Sequence, residues 1–570
     1  MASCLKVVGI TVGVVALAGL IAGLVTWGVL ASRDPVEDPP ELRELDWWEH
    51  TVIYQIYPRS FMDSDGDGIG DLRGIINQME HFVDAGVGAI WMSPIFTSPM
   101  IDFGYDVSDF YDIHYEYGTM ADFDELVSRA HELGIKVLLD YVPNHASTES
   151  QYFVDSVNRV QGYEDYFVWA DPLPDPNDPS GRRVPSNWIS QFGGTVWEWN
   201  DVRQQYYLHQ FAIEQADFNF RNPAVRAELE NIMRFWLEKG ADGFRLDALP
   251  HLFEANPDNY NGTYPDNPLS GNAFLGPDDV GYTTEIHIRD LPELYDLVYE
   301  WREFMERWMS SQNTTTSLSA ESNARDFVYV ILRWFTYMHP GRVPNWVFGN
   351  HDNNRMPTRF RDNMVDGLNS LNMILPGVAV TYQGEEIGMR DGYVSWEDTV
   401  DVNALNRGDN ETYMLYSRDP ARTPYHWDAT ANAGFSTGDS TWLPVAEDYV
   451  EINLAVQKAA SRSHYKVYQA LTALRRSSKT LSHGEYALRA LSANTLVLVR
   501  YLRTHDTIAL LFNVSDGPDT VDLSAAPNLQ GPLTVYTSSV ESTRNTDDIV
   551  ELGEISLRAG EAIVFRGPPA

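Results

Sequence analysis

Acidic residues recur at the ends of short apolar runs along this chain, where they could act as nucleophiles or as general acids. Four of them lie in the segments LLDYVPNH, GFRLDAL, TSLSAES and GNHDNNR: Asp140, Asp247, Glu321 and Asp352. Cleavage of a glycosidic bond with retention needs two carboxyl groups about 5–5.5 Å apart, one as nucleophile and one as general acid/base. A single carboxylate at a strand end is more often a helix cap or an ion-pair partner, so the prediction depends on the ordered set.

A basic residue accompanies the second of these carboxylates, and a histidine accompanies the fourth. Arg245 lies two residues before Asp247, and His351 directly precedes Asp352. Because residues i and i+2 of a strand point to the same face, Arg245 and Asp247 are predicted to lie on one side of the sheet. The guanidinium group is then expected to keep Asp247 ionised and ready to attack.

The apolar runs predict strands, and amphipathic patterns such as MADFDELVSRAHELG and NPAVRAELENIMRFWLEKG predict helices between them. A barrel and a doubly wound parallel sheet both satisfy this alternation. Polar residues at the C-terminal ends of many strands favour an α/β fold of the (β/α)8 TIM barrel type. The predicted strands are TVIYQIYP from 51, AIWMSPI from 89, KVLLDYV from 136, GFRLDAL from 243, TSLSAES from 316, NWVFGNHD from 345 and AVTYQGEE from 379.

The length of 570 residues indicates more than one folded unit. The catalytic barrel is predicted over 47–480, interrupted after the third strand by a subdomain over 146–205 that is rich in Pro, Asp, Asn and Gly. Over 481–570 the helical pattern gives way to strand-like alternation. This change predicts a C-terminal antiparallel β-sandwich domain.

An acidic loop near the N-terminal end of the barrel, DSDGDGIGD at 63–71, is typical of a cation site. Carboxylates at alternate positions, separated by glycines that allow a tight wrap, suit Ca²⁺, with Mg²⁺ as the alternative. The competing interpretation is an acidic, solvated turn. The predicted ligands are the side chains of Asp63, Asp65, Asp67 and Asp71 and the carbonyl group of Ile69.

The segment 7–31 contains no charged residue and is long enough to cross a bilayer as a helix. It predicts a signal-anchor helix of a single-pass type II membrane protein, with a cytoplasmic tail 1–6, a linker 32–46 and the body outside the cell or in a lumen. A cleaved signal peptide is the alternative. Four sequons would allow N-glycosylation of such a body: Asn261, Asn313, Asn410 and Asn513.

The charge and the cysteine content limit the partners of the chain. A net charge of −40 excludes nucleic acid, because its phosphates would be repelled. The one cysteine in the sequence, Cys4, precedes the apolar segment. We therefore predict no intrachain disulfide and no disulfide-linked partner on the outer side of the membrane.

The segments DYVPNH, GFRLDA, SAES and GNHD resemble the four conserved segments of glycoside hydrolase family 13, the α-amylase family. QIYPRSF, QADFNFRNP, QGEEIGM and RDPARTP resemble the branch that holds oligo-1,6-glucosidase and the animal maltases, and the resemblance runs from about residue 47 to the C-terminus. It implies that Asp247 is the nucleophile, Glu321 the general acid/base and Asp352 the stabiliser of the transition state. It also implies a clamp around the terminal glucose of a sugar substrate, formed by Tyr105, Asp106, His145, Arg245, His351 and Arg422.

The same resemblance implies a second structural Ca²⁺ site that joins the inserted subdomain to the barrel. Its ligands would be the side chains of Asn144, Asp217 and Glu254 and the carbonyl groups of His251 and Leu252. Two segments depart from the family pattern, because QPDLN reads QADFN and RTPMQW reads RTPYHW. The alanine next to the nucleophile, Ala248, is similar to the residue type at this position in enzymes that prefer α-1,4 links or sucrose to α-1,6 links.

The resemblance predicts a retaining, exo-acting α-glucosidase that acts on sucrose, on maltose-type oligosaccharides or on both. One alternative is a subunit like the heavy chains of amino-acid transporters, which have the same body behind one N-terminal span. Those chains bond to their partner through a cysteine after the span, and none is present here. The other alternative is a transglycosidase, which would use the same residues with a sugar in place of water as the acceptor.

Overall fold

The structure is a computed structural model that describes residues 42–306, 318–338 and 341–569, with the backbone alone described over 302–306. The chain forms two compact units, Met1–Leu45 and Asp46–Ala570, and the second holds every element below. Its helices are Leu72–Asn77 (α1), Met79–Ala85 (α2), Met120–Glu132 (α3), Gln151–Val157 (α4), Pro223–Glu238 (α5), Pro292–Glu306 (α6), Ala324–Tyr337 (α7), Met356–Arg359 (α8), Val365–Ile374 (α9), Val402–Arg407 (α10), Leu454–Ala459 (α11), His464–Ser477 (α12) and Lys479–His483 (α13).

Strands alternate with these helices as far as residue 382 and then dominate the C-terminal part. In the first part they are Val52–Ile56 (β1), Ala89–Met92 (β2), Phe96–Thr97 (β3), Asp109–Ile113 (β4), Lys136–Tyr141 (β5), His145–Ser147 (β6), Trp169–Ala170 (β7), Leu173–Pro174 (β8), Arg182–Arg183 (β9), Trp197–Asn200 (β10), Gln205–Leu208 (β11), Gln215–Asp217 (β12), Gly243–Leu246 (β13), Asn345–Val347 (β14) and Val378–Tyr382 (β15). In the C-terminal part they are Glu485–Ala490 (β16), Thr495–Tyr501 (β17), Thr507–Asn513 (β18), Asp519–Asp522 (β19), Leu533–Ser538 (β20), Ile549–Val550 (β21), Glu554–Leu557 (β22) and Ala562–Gly567 (β23).

The barrel sheet consists of six parallel strands in the order β13–β5–β2–β1–β15–β14. All six lie at positions predicted from the sequence, and the α/β barrel fold with a C-terminal β domain is confirmed in this form. Because the strands are parallel, their C-terminal ends lie at one edge, where side chains from different segments of the chain meet. We call β5, β2, β1 and β15 the inner strands and β13 and β14 the edge strands.

Local sequence fixes where the outer helices begin and which face they bury. In α3, Thr119 accepts a hydrogen bond from the backbone of Asp122, and the Asp122 side chain accepts one from the backbone of Thr119, which is a capping box. The helix then turns Phe123, Leu126 and Ala130 into the core at the spacing of one helical face.

The strand predicted from 316 is wrong over its described part. Residues 318–323 form a turn and extended backbone, and α7 begins immediately after them. The physical reason is local: the side chain of Asn323 accepts a hydrogen bond from the backbone of Arg325, and Asp326 completes a capping box. A strong helix start at Asn323 therefore ends any strand in this segment.

The predicted subdomain over 146–205 contains short strands, of which β7 and β10 pair with β11 in an antiparallel sheet. Its own core includes Val168, Trp188 and Trp197, and Ala255 and Ile288 from the segment after β13 complete that core. The subdomain is therefore held by two separate parts of the chain.

The C-terminal domain is a six-stranded antiparallel sheet in the order β16–β17–β18–β23–β20–β21, with a second sheet of β19 and β22. Apolar side chains such as Val499, Leu511 and Ile555 form a core between the two layers. Its sheet also packs on the barrel helix α9, where a Cβ atom at Gly367 would lie 2.1 Å from the ring of Phe512. Only glycine allows this close approach.

The predicted membrane localisation is wrong. No helix within the described ranges is both long and apolar enough for a membrane span. The predicted tail 1–6 and span 7–31 lie outside those ranges, as does the greater part of the linker 32–46.

Of the predicted glycosylation sites, Asn261 and Asn410 are exposed, and Asn313 lies outside the described residues. The prediction for Asn513 is wrong for a folded chain. Its side chain is fully buried, and its amide nitrogen donates to the carbonyl groups of Gly517 and Arg558, both at 2.8 Å.

Candidate active site

The predicted nucleophile Asp247 follows the edge strand β13 directly, next to the inner strand β5. Arg245 donates from one Nη1 atom to Oδ1 of Asp247 at 2.5 Å and to Oδ1 of Asp140 at 2.9 Å. Arg245 and Asp140 are register partners across β13 and β5, which explains why their side chains meet. The prediction that Arg245 and Asp247 lie on one side of the sheet holds.

Asp352 lies beyond the C-terminal end of β14 and joins the same cluster. Its Oδ1 atom accepts from Nη2 of Arg422 at 3.0 Å and lies 3.4 Å from Nη1 of Arg418 and 3.3 Å from Nε2 of His351. The Asp352 side chain is 37% exposed, whereas that of Arg422 is 1% exposed. Asp352 therefore faces an open space from a fixed, positively charged support.

The predicted glucose clamp is assembled in part. The hydroxyl group of Tyr105 donates to Asp140 at 3.0 Å, and its ring stacks on His351 with centroids 5.3 Å apart. His351 Nδ1 lies 2.8 Å from Nε2 of Gln55 on β1. Tyr105 and His351, with Arg245 and Arg422, thus belong to one cluster.

Two predicted clamp residues use their polar atoms in hydrogen bonds within the protein. Asp106 is fully buried and accepts from the backbone of Ile101 at 2.9 Å and from Oγ of Ser98 at 2.8 Å. His145 is buried and lies 3.1 Å from the carbonyl oxygen of Tyr105 through Nε2. Both residues therefore support the loop that carries Tyr105.

The carboxyl groups of the cluster differ in the direction in which their pKa values are shifted. Burial raises the pKa of Asp247; Arg245 opposes this rise, and the Asp352 charge adds to it. Sequence reasoning named the effect of Arg245 but not the burial that outweighs it. For Asp352, whose side chain is partly exposed, desolvation by the surrounding cluster is overcome by His351, Arg418 and Arg422, which together hold its pKa well below the ordinary range.

Burial also keeps the histidines of the cluster neutral. It lowers the pKa of His351 to about 3, with Asp352 opposing the shift and Arg422 adding to it. It lowers the pKa of His145 to about 3 as well. Both imidazole rings are therefore neutral at physiological pH and act as hydrogen-bonding groups.

Glu321 is not brought into this cluster by any described hydrogen bond or ion pair. It is exposed and lies in the turn before α7. Its neighbours contact other parts of the chain: the backbone N–H of Ala324 donates to the carbonyl group of Ala493 at 3.0 Å, and Arg361 donates to the carbonyl groups of Ala320 and Val514.

Sequence reasoning missed a second layer of charged residues beneath Asp352. Arg418 donates to Asp102 at 2.8 Å and to Asp401 at 2.5 Å, besides its contact with Asp352. Arg418 precedes Arg422 by four residues in RDPARTP, a spacing that could have indicated a shared face. No local pattern indicates that Asp401, the N-cap residue of α10, pairs with Arg418, which lies 17 residues later.

The acidic loop at 63–71 brings together Asp63, Asp65 and Asp71, whose closest oxygen atoms lie within 4.8 Å of one another. Asp67 is not part of this cluster, and its Oδ1 atom accepts from the backbone of Ile69 at 2.8 Å. Three carboxylates at this separation fit a hard divalent cation, which prefers oxygen ligands.

The predicted second cation site is arranged around the amide group of Gln210. Its Nε2 atom donates to Oδ2 of Asp217 at 2.6 Å and to the carbonyl oxygen of His251 at 2.7 Å. Oδ1 of Asn144 is buried without a hydrogen-bond partner, while Glu254 is paired with Arg221. Burial raises the pKa of Asp217 to about 8. The unpaired oxygen and the buried carboxyl group fit a cation that would displace the Gln210 amide.

The barrel and the carboxylate cluster at its C-terminal edge define the class of α/β-barrel glycoside hydrolases. A sequence model of the family described as Alpha amylase, catalytic domain, matches residues 55–316 and 307–484. The chain belongs to this α-amylase family.

Within the family, the chain lies in the animal maltase branch. It is 43% identical to Maltase 1 of Drosophila virilis over 586 aligned positions, which cover 95% of this chain and 91% of that protein. It is 44% identical to Maltase A1 of Drosophila melanogaster over 547 positions, which cover 89% and 94%. The crystal structure of the α-glucosyl transfer enzyme XgtA has a TM-score of 0.80 and 30% identity, over 92% of this chain and 100% of that one.

The extent of these matches shows that this chain lacks residues that its relatives have. The match to Maltase 1 spans 586 positions, although the whole chain has 570 residues and 95% of them take part. That relative therefore has residues inside the match without a counterpart here. The two stretches that match the family overlap at 307–316.

Proposed function

We propose that this chain is a retaining, exo-acting α-glucosidase with Asp247 as its nucleophile. The chain is a glycoside hydrolase of the maltase and α-glucosidase type, and the relatives named Maltase 1 and Maltase A1 support a maltose-type substrate. Sucrose stays the other predicted substrate. The observation that carries the proposal is the convergence of Asp247, Arg245 and Asp352 from two separate strands at one edge of the barrel.

In this proposal, an Oδ atom of Asp247 attacks the anomeric carbon of the terminal glucose and forms a covalent glucosyl ester. Arg245 forms ion pairs with Asp247 and with Asp140, and these fix the orientation of the nucleophile. Asp352, held ionised by Arg418 and Arg422, binds two sugar hydroxyl groups as positive charge develops on the ring. The ring stack of Tyr105 and His351 provides an apolar surface for the sugar.

The two cation sites are structural in this proposal. Asp63, Asp65 and Asp71 would hold Ca²⁺ or Mg²⁺ in the loop before α1, with Asp67 and Ile69 as predicted additional ligands. Asn144, Asp217, Glu254 and the carbonyl groups of His251 and Leu252 would hold Ca²⁺ between β12 and the segment after β13. Neither ion takes part in a chemical step, because the carboxyl groups perform the substitution.

A transfer reaction is the second candidate. One similar solved structure is that of an α-glucosyl transfer enzyme, and transfer to a sugar would use the same glucosyl ester. Product analysis distinguishes the two, because hydrolysis releases glucose and transfer releases a longer or isomeric sugar.

The proposal is tested with Asp247→Asn on α-glucosyl fluoride, with Asp516→Asn at an exposed position of the C-terminal domain as the matched control. We expect Asp247→Asn to lose activity by about 10³-fold or more and the control to lose none. NMR of the wild-type reaction should show α-glucose first. Turnover by Asp247→Asn at the wild-type rate, or β-glucose as the first product, would refute the proposal.

A further inference from the structure

The imidazole ring of His351 is held by two tyrosine rings. The ring of Tyr105 stacks on it with centroids 5.3 Å apart and planes 11° apart. The ring of Tyr57, the residue after β1, stacks on it at 5.4 Å and 24°. His351 is 1% exposed. These contacts fix the plane of the imidazole ring, but they do not determine which of its nitrogen atoms carries a proton.

The protonation of the two ring nitrogen atoms follows from a contact with Gln55 on the inner strand β1. Nε2 of Gln55 lies 2.8 Å from Nδ1 of His351. An amide nitrogen can only donate a hydrogen bond, so Nδ1 is the acceptor and carries no proton. In a neutral imidazole ring the proton is then on Nε2, which lies 3.3 Å from Oδ1 of Asp352.

The reverse orientation of the Gln55 amide group conflicts with Asp352. With the amide oxygen next to Nδ1, the ring proton would have to be on Nδ1, and Nε2 of His351 would become an acceptor. That nitrogen would then face the carboxylate of Asp352, which is held ionised and can only accept. Two acceptors at this distance repel each other, whereas Nε2–H and a carboxylate attract each other. The contact with Asp352 therefore independently supports a proton on Nε2.

The charges around His351 keep its ring neutral, so that one proton serves two nitrogen atoms. Burial lowers the pKa of His351 to about 3, and the Asp352 charge opposes this shift. The cations Arg422, Arg245 and Arg418 add to it. In a neutral ring the tautomer determines whether the nitrogen atom that faces Asp352 donates or accepts a hydrogen bond.

Gln55 is a fully buried amide side chain in a strand with the sequence VIYQI. Its register partners are Trp91 on β2 and Tyr382 on β15, so its backbone is paired on both sides. Nε2 of Gln55 also lies 3.4 Å from Oγ of Ser93. Because a buried amide group is costly without a partner, the hydrogen bond to His351 explains why this strand contains a glutamine.

We propose that Gln55 is a positioning residue of the active site, which fixes the tautomer of His351 with its proton on Nε2. This inference rests on the proposed function. A sugar hydroxyl group that donates to Asp352 can then accept from Nε2–H of His351, so its proton and its lone pair both have a partner. With the other tautomer, Nε2 and the carboxylate would compete for the one hydroxyl proton, and one acceptor would stay unpaired.

The protonation of the ring is measured directly by NMR of its nitrogen atoms in a chain with isotope-labelled histidine. The sequence contains 14 histidines, and the signals lost in His351→Asn identify the ring. We expect an unprotonated Nδ1 and a protonated Nε2 in the wild-type chain. In Gln55→Glu, Nδ1 should gain a proton, because a carboxylate can only accept.

Gln55→Glu should also raise the pKa of His351. The new carboxylate and Asp352 both favour the charged ring, whereas the three arginines named above oppose it. The charged ring should therefore persist to a higher pH than in the wild-type chain. Titration of the ring signals measures this difference.

The contribution to turnover is measured with Gln55→Met and Gln55→Glu on α-glucosyl fluoride. Both should lower kcat/KM by about tenfold, the effect of one hydrogen bond. α-Glucose should stay the first product, because Asp247 still forms the glucosyl ester. Gln530→Glu makes the same chemical change at an exposed position of the C-terminal domain and should keep full activity. Circular dichroism and the thermal midpoint show whether each variant is folded.

A protonated Nδ1 in the wild-type chain, or wild-type kcat/KM in Gln55→Met, would overturn the inference. An unchanged ring spectrum in Gln55→Glu would do the same, because Gln55 would then act through packing alone. If the buried carboxylate of Gln55→Glu unfolds the chain, the wild-type spectrum and the activity of Gln55→Met still decide. If the wild-type chain fails to hydrolyse any α-glucoside, the proposed function itself fails, while the spectrum still reports the tautomer.

Discussion

The inner strands and the edge strands of the barrel sheet contribute to one cluster but differ in their surroundings. The inner strands are packed on both faces, and Ile53, Trp91, Leu138 and Val380 from them form an apolar core between them. The edge strands have one free side each in the described residues, and their side chains are partly exposed. Asp140 stands on an inner strand, whereas Asp247 and Asp352 follow the edge strands.

The nucleophile keeps its orientation although β13 is paired on one side alone in the described residues. Arg245 reaches from β13 to Asp140 on β5, and Arg422 holds Asp352 from a loop packed under it. The orientation of both carboxylates therefore depends on charged contacts with the packed side of the barrel rather than on strand pairing at the free sides of β13 and β14. Substitutions on both sides of the barrel test this dependence.

Arg245→Met should have the largest effect, because it removes the cation that joins Asp247 to Asp140 on β5. The Asp247 pKa should rise further, and its orientation should be lost, so kcat/KM on α-glucosyl fluoride should fall about 10²-fold. Circular dichroism and the thermal midpoint should show that the chain remains folded.

The matched control for that variant is Arg489→Met, on the exposed face of β16. It removes an arginine without altering the cluster and should keep full activity. Wild-type activity in Arg245→Met would mean that strand pairing alone orients Asp247, and the contrast between the two sides of the barrel would then have no functional meaning.

A pair of valines compares the two sides in terms of stability. Val380 on β15 and Val347 on β14 are register partners, but Val380 is 4% exposed and Val347 is only partly buried. Val380→Ala should lower the free energy of unfolding by about 2 kcal/mol, because it leaves a cavity. Val347→Ala should lower it by about 1 kcal/mol or less, because water already reaches this side chain.

Urea unfolding, followed by far-ultraviolet circular dichroism, measures both values under one condition. Equal losses for the two variants would show that β14 is as well packed as β15. The free sides of the edge strands would then be covered in solution, and the proposed difference in packing between inner and edge strands would be refuted.

The sequence predicted the barrel strands because each is a short apolar run with a polar residue at its end. Six of the seven predicted positions are strands, among them GFRLDAL and NWVFGNHD. The segment TSLSAES has the same composition, but its described part is a turn that leads into α7. A pattern of seven residues does not include the capping box at Asn323 that begins α7 directly after it.

The site was predictable to the extent that its residues lie within strand-end motifs. Arg245, Asp247, His351 and Asp352 were predicted for this reason and meet in the structure. Asp102 and Asp401 were not predicted, because the sequence around them does not indicate a contact with Arg418, which lies 316 and 17 residues further along the chain. Glu321 was assigned through resemblance alone, and its role as acid/base stays a prediction without support from its contacts.

The pH dependence provides the last and smallest contrast. Attack requires the ionised form of Asp247, whose pKa is raised mainly by burial, with the Asp352 charge adding to the rise. The value of kcat/KM for α-glucosyl fluoride should therefore fall as pH is lowered through a pKa above the ordinary 3.8. Asp352→Asn should move this acid limb to lower pH, because it removes the charge that opposes ionisation of Asp247.

A limb on the basic side of the profile would report a general acid near Asp247. An acid limb at or below 3.8 would show that Arg245, not burial, dominates the environment of the nucleophile. The shift of the acid limb in Asp352→Asn then measures how much the charge after β14 contributes to the environment of Asp247 after β13.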